Sequence, residues 1–242
     1  MIPGMPFDIV IFDFDGTIAD TMPFLIRAAT MLLAERHGMA PEAATRAYIR
    51  TCGLPFVKQI ELILPGDGRN TSTVEEFERL KRKHLMEFEL FPDALAVVAE
   101  IRQAGLKVCL SSGTVESLML RFLKLKNLDV DLVMGYRPGF EKGREHFGFA
   151  LNKFNSSSQA AVFVGDSLKD GIAAAGAGIG FIAKTGLVTA GEFRTQLPNV
   201  PIVDALEEIL PLLGIHQTRE RFRQGERSQA FKRLVGDQLP SE

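Results

Sequence analysis

Carboxylate and hydroxyl side chains follow the ends of two predicted strands in this sequence. The apolar run over residues 7–12 predicts a buried strand, and Asp13 and Asp15 come directly after it. A second apolar run over residues 107–110 is followed closely by Ser112. A carboxylate can serve as a nucleophile, a base or a metal ligand, and a hydroxyl can donate a hydrogen bond to an anion.

Two later strands also end in charged residues. Lys142 lies a short loop after the strand predicted over residues 130–134, and Asp166 and Asp170 follow the strand predicted over residues 160–164. Active groups in an open parallel sheet gather at the carboxyl ends of the strands. We therefore expect the side chains that follow all four strands to meet in one site.

The residue types in this expected site fit one kind of reaction. Clustered carboxylates repel one another unless a cation lies among them, and oxygen ligands without His or Cys favour Mg²⁺. Once Mg²⁺, Lys142 and Ser112 neutralise a phosphate monoester, the Asp13 carboxylate could attack its phosphorus and form an aspartyl-phosphate. Asp15 could protonate the leaving oxygen and then take a proton from the attacking water.

The elements that must position these residues can be read from the periodicity of the chain. After residue 91, strands and helices alternate, which predicts a parallel sheet covered by helices on both faces. Between residues 21 and 90, helical spacing runs through four segments without a convincing strand. The predicted fold class is therefore α/β, a Rossmann-like doubly wound parallel sheet core with an inserted all-helical cap domain.

The predicted domain boundaries follow this division. The catalytic core is expected over residues 1–20 and 91–213, the helical insert over 21–90, and a loosely ordered tail over 214–242. We expect the helical insert to act as a lid and to select the substrate. Arg50 and Lys58 lie beside its central turn and could reach an anionic or hydroxylated substrate, although such residues are more often solvated.

In their order along the chain, these residues resemble the motifs of the haloacid dehalogenase superfamily. Asp13-Phe14-Asp15-Gly16-Thr17 resembles the first motif, Leu110-Ser111-Ser112 the second, and Gly165-Asp166-Ser167 with Asp170 the fourth. Lys142 is similar to the third-motif lysine, which many relatives place before Pro-x-Pro, so Arg144 and Lys153 are alternatives. The resemblance covers roughly residues 7–205, and the helical insert resembles the cap of the phosphoglycolate phosphatase-like branch.

The resemblance implies a role for each matched residue. It implies that Asp13 is the nucleophile and Asp15 the acid/base. It also implies that Mg²⁺ is bound by Asp13, the main-chain carbonyl of Asp15 and Asp166, with Asp170 nearby or linked through water. An acid at position 15 favours a phosphatase over a dehalogenase, because halide leaves without protonation. The residues predicted to contact the substrate are Thr17, Arg50, Lys58, Ser112 and Gly113.

Composition limits the partners of this chain. The net charge of −2 over 242 residues and a pI of about 6.1 give no indication of a nucleic-acid surface. No apolar stretch is long enough for a membrane span, and residues 1–7 lack the regions of a signal peptide, so a cytoplasmic location is expected. A small phosphorylated metabolite is the expected partner, and the oligomeric state stays open. The alternative functions are a phosphomutase and a non-catalytic binding or regulatory protein on the same fold.

Overall fold

The computed structural model describes residues 7–216, in which six strands are separated by helices. The strands are β1 (Ile9–Phe12), β2 (Lys107–Ser111), β3 (Leu132–Met134), β4 (Ala161–Gly165), β5 (Gly180–Lys184) and β6 (Ile202–Val203). The helices are α1 (Met22–His37), α2 (Pro41–Thr51), α3 (Phe56–Ile63), α4 (Asn70–His84), α5 (Ala94–Gln103), α6 (Glu116–Lys126), α7 (Arg144–Lys153), α8 (Leu168–Ala177), α9 (Ala190–Gln196) and α10 (Ile209–Leu212).

All six strands are parallel and lie in the order β3-β2-β1-β4-β5-β6. Successive residues of the central strand β1 point to opposite faces of the sheet, as the pleat requires. Val10 and Phe12 pack with helices α5 and α6 on one face, whereas Ile9 and Ile11 pack with α7 and α8 on the other. The predicted doubly wound, Rossmann-like sheet is therefore confirmed.

Helices α1 to α4 lie between β1 and β2 and share a separate apolar core. Tyr48, Phe56 and Phe77 meet in this core, where the rings of Phe56 and Phe77 stack with centroids 3.9 Å apart. Gly38 ends α1 in the left-handed conformation with a φ of 69°, which glycine adopts without steric cost. The residues of the helical insert are thus helical, as the spacing of their apolar residues predicts.

The structure differs most from the sequence-based elements in three places. Apolar spacing predicts a helix over residues 73–89, but the helix begins at Asn70 and ends at His84, where a 3₁₀ turn over Leu85–Glu87 follows. The same spacing predicts a helix over residues 205–213, where the structure has a 3₁₀ turn followed by the short helix α10. The sequence-based elements lack α9, although Thr189 and Glu192 form a capping box at its start, the sequence signature of a helix N-terminus.

Two further features predicted from the sequence are the absence of a membrane span and the loosely ordered tail. Within the described part of the chain, no helix is long and apolar enough to cross a membrane. Of the tail predicted over residues 214–242, residues 217–242 lie outside the described residues.

Candidate active site

Asp13 stands at the carboxyl end of β1, at the point where the strand order of the sheet reverses. Strand β1 lies between β2 and β4, and the Asp13 backbone N–H donates to the Val164 carbonyl at 2.8 Å. Oδ1 of Asp13 accepts a hydrogen bond from the backbone N–H of Phe14 at 2.8 Å, and the residue is only 4% exposed. The position is the one at which open α/β sheets bind their ligands.

Lys142 reaches Asp13 from the loop before α7. Its Nζ atom lies 3.0 Å from Oδ2 of Asp13 and 2.7 Å from Oδ1 of Asp170. Burial alone would lower the pKa of Lys142, but the two carboxylates raise it above the ordinary value of a lysine. Arg144 and Lys153, the alternatives for the third motif, are exposed, so the geometry favours Lys142 as the cation of this site.

Three buried carboxylates form a group that suits a cation. Oxygen atoms of Asp13, Asp166 and Asp170 all lie within 4.8 Å of one another. Burial raises the pKa of Asp13 to about 7, with a further rise from the Asp170 and Asp15 charges and an opposing effect of Lys142. Burial, then the charges of Asp13 and Asp170, also raise the pKa of Asp166 well above its ordinary value. Such mutual repulsion is relieved when a cation binds among the carboxylates.

Asp166 provides a second indication of a cation site. Its Oδ2 atom is buried and has no hydrogen-bond partner among the described residues. Gly16 passes so close that a Cβ atom there would lie 2.0 Å from this oxygen, and its φ of 81° also favours glycine. The donor set is oxygen-only, as Mg²⁺ prefers, so the residues present fit this ion.

Asp170 is held in place by the start of α8. Ser167 and Asp170 form a capping box, in which the Ser167 side chain accepts from the Asp170 backbone N–H and the Ser167 backbone N–H donates to Asp170 Oδ2 at 3.1 Å. The Ser167 hydroxyl also donates to Oδ2 at 2.6 Å. One oxygen of Asp170 therefore caps the helix, and the other remains directed at Lys142.

The Asp15 carboxylate is surrounded by three donors from different parts of the chain. Its Oδ1 accepts from the Thr21 hydroxyl at 2.8 Å, and its Oδ2 accepts at 2.6 Å from both the Thr114 hydroxyl and the Lys81 ammonium. Burial alone would raise the pKa of Asp15, but Lys81 and the two threonine hydroxyls hold it below the usual value. These contacts favour the carboxylate form of Asp15 and hold its side chain in one orientation.

Ser112 and Gly113 follow β2 and line the cavity next to Asp13. Ser112 is 1% exposed, and its hydroxyl oxygen accepts from the Thr114 backbone N–H at 3.0 Å. Thr17 is fully buried, but it is not among the residues that line this cavity, and its hydroxyl has no partner in the described part of the chain. Ser112 and Gly113 are thus placed where a substrate can be contacted, whereas Thr17 does not line the cavity.

The turn between α2 and α3 covers the site. Gly53 in this turn has a φ of 94°, and a Cβ atom there would lie 2.5 Å from the Ser167 Oγ atom. A Cβ atom at Gly113 would lie 3.4 Å from the backbone of Pro55. The cavity above Asp13 has a free volume of about 50 Å³. The helical insert therefore rests directly on the loops that follow β2 and β4.

Arg50 and Lys58 do not line this cavity. Both residues are exposed, and Lys58 forms an ion pair with Glu141, the residue before Lys142, which joins the insert to the core at the surface. The side chains that the helical insert does direct to the cavity differ from those predicted. The polar ones are Tyr48, Gln59, Glu78 and Lys81.

A sequence signal for Lys81 did exist. The buried face of α4 carries Thr73, Phe77 and Lys81 at intervals of four residues, so the lysine continues the stripe that packs inward. A charged residue within such a stripe is buried only where it meets a partner. The sequence does not reveal that this partner is Asp15.

Together, the fold and the site define an α/β protein in which a buried carboxylate follows the central strand of a parallel sheet. The family model described as haloacid dehalogenase-like hydrolase matches residues 10–184. The chain therefore belongs to the haloacid dehalogenase-like hydrolase family, and the resemblance inferred from its motifs is confirmed.

Individual relatives agree with this assignment over most of their length. The chain is 27% identical to "Probable phosphatase IndB" of Dickeya dadantii over 84% of this chain and 91% of that protein. It is 26% identical to a phosphoglycolate phosphatase of Yersinia pestis over 88% of this chain and 95% of the relative. A haloacid dehalogenase-like hydrolase from Streptococcus pneumoniae shares the fold with a TM-score of 0.72 at 21% identity, covering 86% of this chain and 98% of that structure.

Proposed function

We propose that this chain is a Mg²⁺-dependent phosphatase that hydrolyses a small phosphate monoester through an aspartyl-phosphate on Asp13. The enzyme class, a hydrolase of phosphate esters, agrees with the relatives named as phosphatases. The observation that carries the mechanism is the position of Asp13, a buried carboxylate beside the Lys142 ammonium and two further carboxylates, with Asp15 two residues away.

Asp13 attacks the phosphorus of the bound ester. The bond from Asp13 to phosphorus forms while the bond from phosphorus to the leaving oxygen breaks. Lys142, with a second ion pair to Asp170 that fixes its position, and the hydroxyl of Ser112 offset the negative charge of the phosphoryl oxygens. Asp15 in its protonated form supplies the proton that the leaving oxygen needs.

Water then hydrolyses the aspartyl-phosphate. Asp15, now a carboxylate, takes a proton from this water as its oxygen attacks the phosphorus and the bond to Asp13 breaks. Inorganic phosphate and free Asp13 are the products, and Asp15 ends the cycle protonated. The three donors around Asp15 support its carboxylate form, the form that this second step requires.

Asp13, Asp166 and the main-chain carbonyl of Asp15 would hold Mg²⁺, with Asp170 beside them. When bound, this ion supplies positive charge that offsets the phosphoryl oxygens and lowers the pKa of the neighbouring carboxylates. The unpartnered Asp166 oxygen and the close group of three carboxylates support this assignment.

The helical insert over residues 21–90 acts as a lid over this reaction. The free volume above Asp13 is about 50 Å³, which is small for an ester, and we infer that the insert moves to admit one. Its return then excludes bulk water from the site. Small leaving groups fit this arrangement best, and a relative named phosphoglycolate phosphatase is consistent with such a substrate.

The proposal is tested by measuring phosphate release from a panel of small phosphate esters with Mg²⁺ and with EDTA. We expect Mg²⁺-dependent release from one or a few compounds without any bisphosphate activator. A requirement for a bisphosphate, with the phosphoryl group returned to a sugar, would indicate a phosphomutase. Absence of release from every ester at high enzyme concentration would overturn the phosphatase assignment in favour of a non-catalytic role.

A further inference from the structure

Lys81 is a buried lysine of the helical insert whose ammonium reaches the core. It lies on the inward face of α4 and is 6% exposed. Its Nζ atom is 2.6 Å from Asp15 Oδ2 and donates a second hydrogen bond to the Thr114 hydroxyl. Sixty-six residues separate Lys81 from Asp15 in the sequence, so only the packing of the insert against the core brings them together.

A buried ammonium is costly unless a charge compensates it. In the described part of the chain, Lys81 forms its single ion pair with Asp15, and its second contact is also to the core. Glu78, one turn earlier on α4, lines the same cavity, and burial raises its pKa, which weakens it as a compensating charge. The charge of the Lys81 ammonium is therefore balanced by the Asp15 carboxylate when the insert is closed over the site.

The other two donors to Asp15 are neutral hydroxyl groups. Thr21 precedes α1 and binds Oδ1, whereas Thr114 follows β2 and shares Oδ2 with Lys81. Without Lys81, Oδ2 would keep a single neutral donor and face an enclosed cavity. Lys81 supplies the one positive charge that contacts the Asp15 carboxylate directly in the described structure.

We propose that Lys81 is a positioning residue that completes the catalytic centre from the helical insert by fixing Asp15 when the insert closes. This inference rests on the proposed function, because it assigns Asp15 the acid/base role. Closure then does more than exclude water. It orients the Asp15 side chain, which protonates the leaving group in its acid form and takes a proton from the attacking water as a carboxylate. Catalysis is thereby confined to the closed arrangement.

Lys81→Met tests this proposal, because methionine retains most of the apolar stem and removes the charge. Lys83→Met is the matched control, since Lys83 lies on the same helix and is exposed. With the best alkyl phosphate from the panel, we expect Lys81→Met to lower kcat by about 100-fold, at the lower end of the general acid–base range, and to change KM much less. Lys83→Met should resemble the wild type.

A second readout separates positioning from a purely structural effect. p-Nitrophenolate leaves without protonation, so with p-nitrophenyl phosphate Lys81→Met should slow the water step more than the first step. Stopped-flow measurement should then show a burst of nitrophenolate that approaches one equivalent per active site, a burst absent from Lys83→Met. Lys81→Arg, which keeps the charge, should recover at least part of the lost kcat.

The possible results are distinct. A Lys81→Met enzyme with kcat within twofold of the wild type would overturn the proposed role of Lys81 and leave the proposed phosphatase function standing. Equal losses on alkyl and nitrophenyl esters without a burst, or a melting temperature well below that of Lys83→Met, would assign Lys81 a structural role instead. A wild-type protein that releases no phosphate from any ester would overturn the proposed function and this inference with it.

Discussion

The Nζ atom of Lys142 lies 3.0 Å from Oδ2 of Asp13, and both side chains are 5% exposed. The same ammonium lies 2.7 Å from Asp170, so one cation is shared between carboxylates that follow β1 and β4. This arrangement holds the carboxylate of the proposed nucleophile in a fixed position with a positive charge beside it. The same ion pairs should therefore affect both the stability of the protein and the proposed chemistry of the site.

Replacing the proposed nucleophile should abolish turnover without unfolding the protein. Asp13→Asn keeps the shape of the side chain but lacks the charged oxygen that attacks phosphorus. We expect kcat to fall by at least about 1,000-fold and Mg²⁺ to bind less tightly. Phosphate release and thermal unfolding measure the two effects. Asp129→Asn is the control, because the Asp129 side chain is 80% exposed, and retained activity in Asp13→Asn would exclude the proposed mechanism.

Removing the shared cation should destabilise the metal-free protein. Lys142→Met leaves Asp13 and Asp170 without their buried ion pairs, so we expect the free energy of unfolding to fall by about 3 kcal/mol. Urea denaturation in EDTA measures this change. Lys153→Met is the control, since Lys153 is the exposed alternative for the third motif. If Lys153→Met lost activity while Lys142→Met kept it, the assignment of Lys142 would be wrong.

Magnesium should stabilise the folded protein through the buried carboxylates. Binding at a concentration of 100 times Kd would raise the free energy of unfolding by about 2.7 kcal/mol. Asp166→Asn should lose this gain, yet it should be at least as stable as the wild type in EDTA, because it removes one charge from a repelling group. Thermal unfolding against Mg²⁺ concentration tests both statements, and an undiminished Mg²⁺ shift in Asp166→Asn would argue against this metal site.

A side chain at Gly53 should prevent the insert from closing. Alanine at this position would place Cβ 2.5 Å from the Ser167 Oγ atom, so the turn must move away from the core. We expect kcat to fall by roughly 100-fold, the scale of a misplacement of about 1 Å. Gly66→Ala is the matched control, because Gly66 also has a positive φ but has no atom within 4 Å of the added Cβ. Equal kcat values for the two variants would show that closure does not depend on this contact.

His146 should make stability depend on pH. Burial lowers the pKa of His146 to about 4, whereas an unfolded histidine titrates near 6.5. Between these two pH values the unfolded state binds one more proton than the folded state. The contribution of neutral His146 to stability is therefore fully present above pH 6.5 and is lost as the pH falls towards 4. The loss should approach about 3 to 4 kcal/mol at most, from about 1.4 kcal/mol for each pH unit.

Comparison with His146→Gln isolates this effect from the other titrating groups. The difference in unfolding free energy between wild type and variant should shrink as the pH falls from 6.5 to 4, in urea titrations at each pH. His84→Gln is the control, because the His84 side chain is 27% exposed. A difference that is constant over this range would show that His146 is not held neutral by its surroundings.

Local pattern was sufficient to predict the residues at the strand ends. Asp13, Ser112 and Asp166 follow apolar runs, and parallel strands necessarily bring their carboxyl ends to one edge. Arg50 and Lys58 were predicted from their charge near a turn, and the structure places both at the surface, away from the cavity. The direction of a side chain on a helix depends on what the helix packs against, which a charge pattern does not specify.

The sequence by itself determined the sheet, the helical insert and the carboxylates of the core, because each depends on apolar periodicity and on short spacings along the chain. The tertiary structure alone decided the partners of those carboxylates. Lys142 meets both Asp13 and Asp170, and Lys81 crosses from the insert to Asp15. These contacts join residues distant in sequence, and their geometry is set by how the insert packs on the core, since buried charges are stabilised only by the groups that packing places beside them.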